Sequence, residues 1–474
     1  MLKGCLFLFD YKNFEKEMDL RLNTDINFDI IKRNLLIGGK ASALYFIDGF
    51  IKDEVFEKML EYLFKQTQED IEKICDMQEF SLDKMPYVEV DFTYDIDTAT
   101  NNVLSGPAVL IIDGIKGALL IDTRTYPARS TEEPQKDKSL RGSRDGFVET
   151  LIMNTSLIRR RIRSENLRME YMSISSNSKV DIAISYIDGL ADKKTLENLK
   201  KALKKIKLKS ISMATEALSE SLVPHKFFNP FPRFKLTERP DFASAAILDG
   251  KIALIIDNSP SVMILPDSFA DFFREVDDYY FLPLVGSYTR ILRLVVALFT
   301  VIATPIYLLI MNNQAAVPQF LKFLIAKETG ALPIFIQFLL LELVVDGLRI
   351  ASLNTPDTLS NSLGIIGGLL LSEFAVNAGW FIGETVLFMA FVTIASYIQP
   401  SFEMGYAMKF ERIFILLFTQ FLGLWGFILG IIICLIAMAT TKTLSGRCYL
   451  YPIIPFNLKA FCQLFLRPTI KNNH

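Results

Sequence analysis

The chain has 474 residues, with 51 basic against 53 acidic side chains, a net charge of −2 and a pI near 6.0. This length leaves room for two or three domains, and the charge balance gives no support to a nucleic-acid partner. Only two histidines, His225 and His474, are present, so a metal centre or a Ser-His-Asp triad is not expected, because both chemistries lean on imidazole.

The sequence carries neither a Walker-type GxxxxGK[ST] nor a G-x-G-x-x-G after a strand. The expectation is therefore a non-enzyme without a cofactor. Cys5, Cys75, Cys434, Cys448 and Cys462 are scattered, with no CxxC. They suggest neither a disulfide framework nor a zinc site, and they fit a reducing compartment. The opening stretch MLKGCLFLFDYKNFEKEMD has its apolar patch cut by Asp10, too short for a secretory signal, so the soluble part is expected in the cytoplasm.

In chain order, a tail over residues 1–28 precedes a repeat. YFIDGFIKDEVFEKMLEYLF from Tyr45 matches SYIDGLADKKTLENLKKALK from Ser185. Each reads as a β-branched strand, an Asp-Gly turn (Asp48-Gly49, Asp188-Gly189) and an amphipathic helix. A second pair, PAVLIIDGIKGALLIDTRTYPAR from Pro107 and AAILDGKIALIIDNSPSVMILP from Ala245, sets Asp113 beside Asp249 and Asp122 beside Asp257. Both are predicted as hairpins. The prediction is a duplicated α/β fold, with one subdomain over residues 29–155 and another over 156–275. The repeated aspartates read as turn formers; the alternative, ligands for a metal or substrate, stays open. Between the halves, Arg159, Arg160, Arg161 and Arg163 invite a phosphate or anionic-lipid reading. A solvated helix face, or salt bridges to another subunit, is the commoner outcome for such a run.

Three long stretches carry more than general chemistry: RGSRDGFVETLIMNTSLIRRRI from Arg141, NPFPRFKLTERPDFASAAILDGKIALIIDNSPSVMILP from Asn229, and MATTKTLSGRCYLYPIIPFNLKAFCQLFLR from Met438. They resemble the A-subunit (GerA/GerAA) family of spore germination proteins over nearly the whole length. The tail and the short N-terminal region are most similar to its stage V sporulation protein AF (SpoVAF) branch. The resemblance implies a multi-pass protein of the spore inner membrane with a cytosolic two-part N-terminal domain. It also implies a homo-oligomer that works with a small membrane partner or with germinant-receptor proteins. The function it implies is conduction of monovalent cations while the germinant signal is amplified or passed on. A non-conducting scaffold or signal-transducing subunit is the alternative.

From residue 276 to 474 the composition shifts. Between Leu294 and Thr440 only 13 of 147 residues are charged, against 91 of the remaining 327. A spanning helix needs roughly 20 mostly apolar residues. Leu294–Met311 and the uncharged Ile413–Thr440 qualify, with Leu359–Trp380 and Glu384–Ile398 as further candidates. Ala331–Ile350 is too interrupted to cross alone, and reads as a buried or partly inserted helix, or as a span whose carboxylates are shielded by protein. The total is an all-α domain of four to five membrane helices with an amphipathic C-terminal tail. Arg290 and Arg293 before the first span place the soluble half in the cytoplasm by the positive-inside rule.

Within these helices Glu342 and Asp346 are one turn apart, with Arg349 on the same face. Glu373 and Asn377 repeat that spacing, and Glu384 opens the next segment. Such groups must face protein or water. Repeated around an oligomer axis they form negative rings that favour cations; interhelical ion pairs, for instance with Arg349, are the competing reading. Gly364, Gly367 and Gly368 suit close helix approach, as does the GxxxG of Gly426 and Gly430. Glu403, Lys409, Glu411 and Arg412 read as a connecting loop and a helix start.

Overall fold

The computed structural model describes residues 10–126, 142–174, 180–206, 214–223, 229–275, 277–328, 330–355, 367–368, 374–441 and 443–466. They divide into two units: Met1–Pro224 with Phe234–Pro266, and His225–Arg233 with Asp267–His474.

The first unit starts with helix α1 (Tyr11–Leu22), capped by Asp10, whose side chain accepts from Asn13 N. Strands β1 (Ile30–Ile37) and β2 (Lys40–Ile47), helices α2 (Asp53–Phe64), α3 (Gln68–Glu72) and α4 (Met77–Asp83), β3 (Val90–Thr93), α5 (Ile96–Ser105), β4 (Ala108–Ile112) and β5 (Ala118–Ile121) follow. The five strands form one antiparallel sheet in the order β1-β2-β4-β5-β3. Alternate residues of each strand serve opposite cores. Leu44, Leu110 and Ile112 pack with Phe56, Met59 and Phe80 from α2 and α4. Ala43, Tyr45, Val109 and Ile111 pack with Met18, Leu22 and Val103 from α1 and α5. With helices on both faces, β4 is apolar throughout, because period-2 alternation is lost when neither face meets water.

The arrangement then recurs. Helix α6 (Leu151–Arg161), β6 (Leu167–Ile174), β7 (Val180–Ile187), α7 (Lys193–Lys205), α8 (Ala214–Leu222), β8 (Lys235–Thr237), α9 (Pro240–Leu248), β9 (Ile252–Ile256) and β10 (Val262–Leu265) build a sheet ordered β6-β7-β9-β10-β8. The duplication is real, and the equivalence of Asp48 with Asp188 holds: their amides donate to Asp29 O and Asn166 O, each beyond the first strand of its sheet.

The second pairing of the sequence reading needs correction. Asp113 corresponds to Asp257, not to Asp249. Asp113 N donates to Ala41 O, and Asp257 N to Asp181 O, each beside its sheet's second strand. The residues before Asp249 are helix α9, with Pro240 in its first turn, and they match α5 rather than a strand. A four-residue apolar run cannot by its period distinguish strand from helix. After each aspartate the turn needs a left-handed residue: Gly114 at φ 83° in one copy, Asn258 at φ 62° in the other. Asparagine is among the few side chains that tolerate it.

Arginines join the two sheets inside this unit. Arg159 of α6 is fully buried and grips Asp29 through Nε at 2.7 Å and Nη2 at 3.0 Å. Arg161 pairs with Asp145, while Arg160 and Arg163 lie 4.9 and 5.9 Å from the centre of the Tyr126 ring. The arginine run is thus divided among separate jobs. Cys434, Cys448 and Cys462 are free thiols, whereas Cys75 is in a disulfide, which the scattered spacing did not lead us to expect.

The second unit is helical: α10 (Asp277–Tyr280), α11 (Pro283–Asn312), α12 (Ile334–Leu353), α13 (Ala375–Asn377), α14 (Gly383–Tyr397), α15 (Phe402–Ala439) and α16 (Leu458–Phe465). Among the described residues, α11 is long and apolar enough to cross a membrane by length and composition, and α15 meets that test only when its 38 residues are counted as one helix.

The expectation of one uninterrupted span over 413–440 is overturned. At Gly423 the backbone leaves the helix (φ 59°, ψ −134°), and the chain doubles back. A Cβ on Gly430 would lie 3.2 Å from Ile415 Cα, and one on Gly426 would strike the Phe418 carbonyl. Met438 clusters with Met404, Ala407 and Met408. In a continuous helix residues 415 and 430 would stand about 22 Å apart. Residues 402–422 and 424–439 are therefore two antiparallel arms. Only glycine enters that φ/ψ region without heavy strain, and Gly426 and Gly430 let the arms meet.

Candidate functional site

Helix α12 lies antiparallel to α11, because Tyr307 meets Phe338 (ring centres 6.0 Å) while Thr300 faces the level of Glu342 through Arg412. Helix α14 runs parallel to α12. Gln337 Oε1 accepts from Ile382 N at 3.0 Å and Thr385 Oγ1 at 2.6 Å, and one turn later Leu341 packs with Met389.

At the crossing of α11, α12 and the first arm of α15 lies a buried group of charges. Glu342 is 5% exposed. Its Oε1 accepts from Arg412 Nε at 2.6 Å and Nη2 at 2.5 Å, and its Oε2 is 3.3 Å from Lys409 Nζ. Lys409 also pairs with Asp346, one turn on, and lies 3.4 Å from the Glu342 carbonyl. Arg412 Nη1 donates to Thr300 O at 3.0 Å. Two carboxylates and two cations thus cancel where three apolar helices meet. Leaving any one uncompensated among such helices is costly.

Arg349 takes no part in this cluster. Its guanidinium stacks on Phe402, Tyr397 and Tyr406, 4.1, 5.2 and 5.2 Å from their ring centres, a cation–π arrangement. Glu411, beside Arg412 in sequence, points to the other arm, where its carboxyl meets Cys434, and its buried Oε1 has no hydrogen-bond partner among the described residues. Sequence reasoning missed Lys409 and Arg412 as partners. The available signal was their i, i+3 spacing, which complements the i, i+4 spacing of Glu342 and Asp346 on another helix.

The remaining candidates are dispersed. Glu384 is half-buried in the first turn of α14, where an acid suits the helix dipole. Asn377 ends the short α13 and is exposed. Glu373 and Gly364 lie outside the described residues. A Cβ on Gly367 would sit 2.6 Å from Leu348, marking a close approach to α12, whereas a Cβ on Gly368 would meet no described atom within 4 Å. Arg290 and Arg293, read earlier as topology signals, are buried against Asp278, with Arg293 also 2.6 Å from Glu275. They are ion-paired within the fold and bear less positive-inside weight than their sequence position suggests.

A duplicated α/β unit followed by long apolar helices is consistent with a membrane-associated protein. The chain belongs to the Bacillus/Clostridium GerA spore germination protein family, whose model matches residues 16–474. It is 33% identical to the stage V sporulation protein AF of Bacillus subtilis over 94% of this chain and 90% of that protein. It is 31% identical to the spore germination protein KA of the same organism, over 90% of this chain and 79% of the relative. Among solved structures, the N-terminal domain of the A subunit of the Bacillus megaterium spore germinant receptor GerK3 covers 53% of this chain and 92% of its own. The identity there is 25% and the TM-score 0.39.

Proposed function

We propose that this protein is an oligomeric cation-conducting subunit of the spore inner membrane, with the duplicated α/β unit in the cytoplasm. It would amplify or transmit the germinant signal and release monovalent cations, together with a small membrane partner or receptor proteins. The observation carrying this reading is the buried group Glu342, Asp346, Lys409 and Arg412. Ionisable side chains inside apolar helices are expensive and are functional by default. Here they leave Asp346 as the more open carboxylate, with a third of its side-chain surface exposed against 6% for Glu342. Glu373, Asn377 and Glu384 are the further candidates for the ion path.

The test is potassium flux from proteoliposomes holding the full chain, with Glu384→Ala and Glu373→Ala variants. Reduced flux or altered selectivity is expected. Unchanged conductance and selectivity in both would remove the path assignment. Glu342→Ala is a poorer probe, because it strands Arg412.

A second reading is a non-conducting scaffold, favoured by the pairing of Glu342 with Arg412 inside a single chain. Protein that assembles in detergent, and never conducts in paired recordings, would select it.

A further inference from the structure

The chain after the hairpin changes character at Pro452. Up to there it is held tightly. Thr441 accepts from Asn229 Nδ2 at 2.8 Å, and Tyr449 is fully buried among Phe231, Phe269 and Phe272 while its carbonyl accepts from Phe269 N. Beyond it, Ile453, Ile454, Phe456, Leu458 and Leu466 all turn outward, Phe456 and Leu458 each 64% exposed. Asn457 caps α16 by accepting from Ala460 N, and Phe456, Phe461 and Phe465 form a row with ring centres 5.5 and 5.1 Å apart.

Two features identify what covers this surface. The first is continuity: the returning arm of α15, which exposes Ile432, Ile433, Leu435 and Ile436, ends at Ala439, so the outward segment begins just beyond the foot of an apolar helix. The second is charge. From Ile413 to the end the sequence contains no Asp or Glu, while residues 441–474 hold Lys442, Arg447, Lys459, Arg467 and Lys471. A second copy of this segment would bring cations against cations. Anionic headgroups meet them with opposite charge, and the boundary below the headgroups accepts aromatic and branched side chains.

We infer that residues 453–466 form an interfacial anchor that lies in the surface of an anionic bilayer, with Phe456 and Leu458 inserted beneath the headgroups. This rests on the membrane-embedded reading of the second unit, and not on conduction. The anchor fixes the foot of the hairpin to the membrane plane.

The native tryptophans, Trp380 and Trp425, permit a direct test. The full chain with both changed to Phe and with Phe456→Trp is placed in vesicles of mixed anionic and zwitterionic lipid. Bromine is carried either near the headgroup or near the chain end. Blue-shifted emission is expected, quenched more strongly by the headgroup-proximal bromines and less so after Lys459→Glu. Three results would overturn the anchor: solvent-like unquenched emission; blue-shifted but unquenched emission, which means that protein covers the site; or stronger quenching from the chain ends. The wild-type chain serves as the control. If the exposed Trp425 near the hairpin tip is also unquenched, it is the membrane reading itself that fails.

Discussion

Arg412 holds Glu342 through Nε and Nη2 while its Nη1 caps the Thr300 carbonyl, so one guanidinium ties α11, α12 and α15 together. The planar fork of arginine suits this divided task, and a lysine could not make all three bonds. Removing it would leave Glu342 buried with only Lys409 nearby.

Arg412→Ala is therefore expected to destabilise the second unit by about 3–5 kcal/mol, with Arg412→Lys in between. Pairing Arg412→Met with Glu342→Met should recover much of that loss, because no stranded charge remains. Thermal unfolding in detergent measures all three. A double variant no better than Arg412→Ala would show that the ion pair is not what holds the helices.

The hairpin yields a geometric prediction. A Cβ on Gly430 would stand 3.5 Å from Ile415 Cβ, within the usual disulfide range of roughly 3.5–4.5 Å. Ile415→Cys with Gly430→Cys, in a chain with Cys434→Ser, should form an intramolecular disulfide under mild oxidation. Mass spectrometry of the digested protein reads it out. Thiols that stay reduced, or link only between chains, would restore a continuous helix across Gly423.

These two sites show what the sequence could and could not convey. The Asp-Gly turns at Asp48 and Asp188 were legible because turn chemistry is local. The register of the second repeat was not, since AAIL before Asp249 suits strand and helix equally. Glu342 and Asp346 stood out as charges in apolar surroundings, yet Lys409 and Arg412 lie more than 60 residues away, and no one-dimensional period connects them. Gly426 and Gly430 were read as a surface for another helix. Their partner is the preceding arm, because Gly423 reverses the chain, and a lone glycine in an apolar run does not announce its φ.

In the first unit, burial pushes the Asp145 carboxyl up, but hydrogen bonds from Arg161 and Ser143 outweigh it and hold the group below the usual carboxylate range. A depressed folded value contributes stability above the unfolded value, near 3.9, and that contribution is lost as pH falls through the folded value. Unfolding of the full chain should thus become easier in strong acid, and Asp145→Asn should flatten that limb while lowering stability at neutral pH. An acid limb of the same slope in the variant would show that Asp145 does not contribute to it.

Arg159 and Asp29 offer the sharpest test of the duplicated unit as one cooperative body. They are 130 residues apart, both nearly excluded from solvent, and joined by two hydrogen bonds. Among the described residues Arg159 Nη1 has no hydrogen-bond partner, so the pair already carries some desolvation cost, and its value lies in joining the two sheets. Arg159→Ala should cost about 3–5 kcal/mol by stranding Asp29. Combining Arg159→Met with Asp29→Asn should return part of the stability without the tie. Hydrogen exchange separates the two effects. If the pair couples the sheets, amides of β1 and β2 should exchange at rates different from those of β6 and β7 in the double variant, and at a common rate in the wild type. Equal rates in both proteins would mean that packing around Asn27 and Met169, whose amide donates to the Asn27 side chain at 2.8 Å, suffices to hold the sheets together.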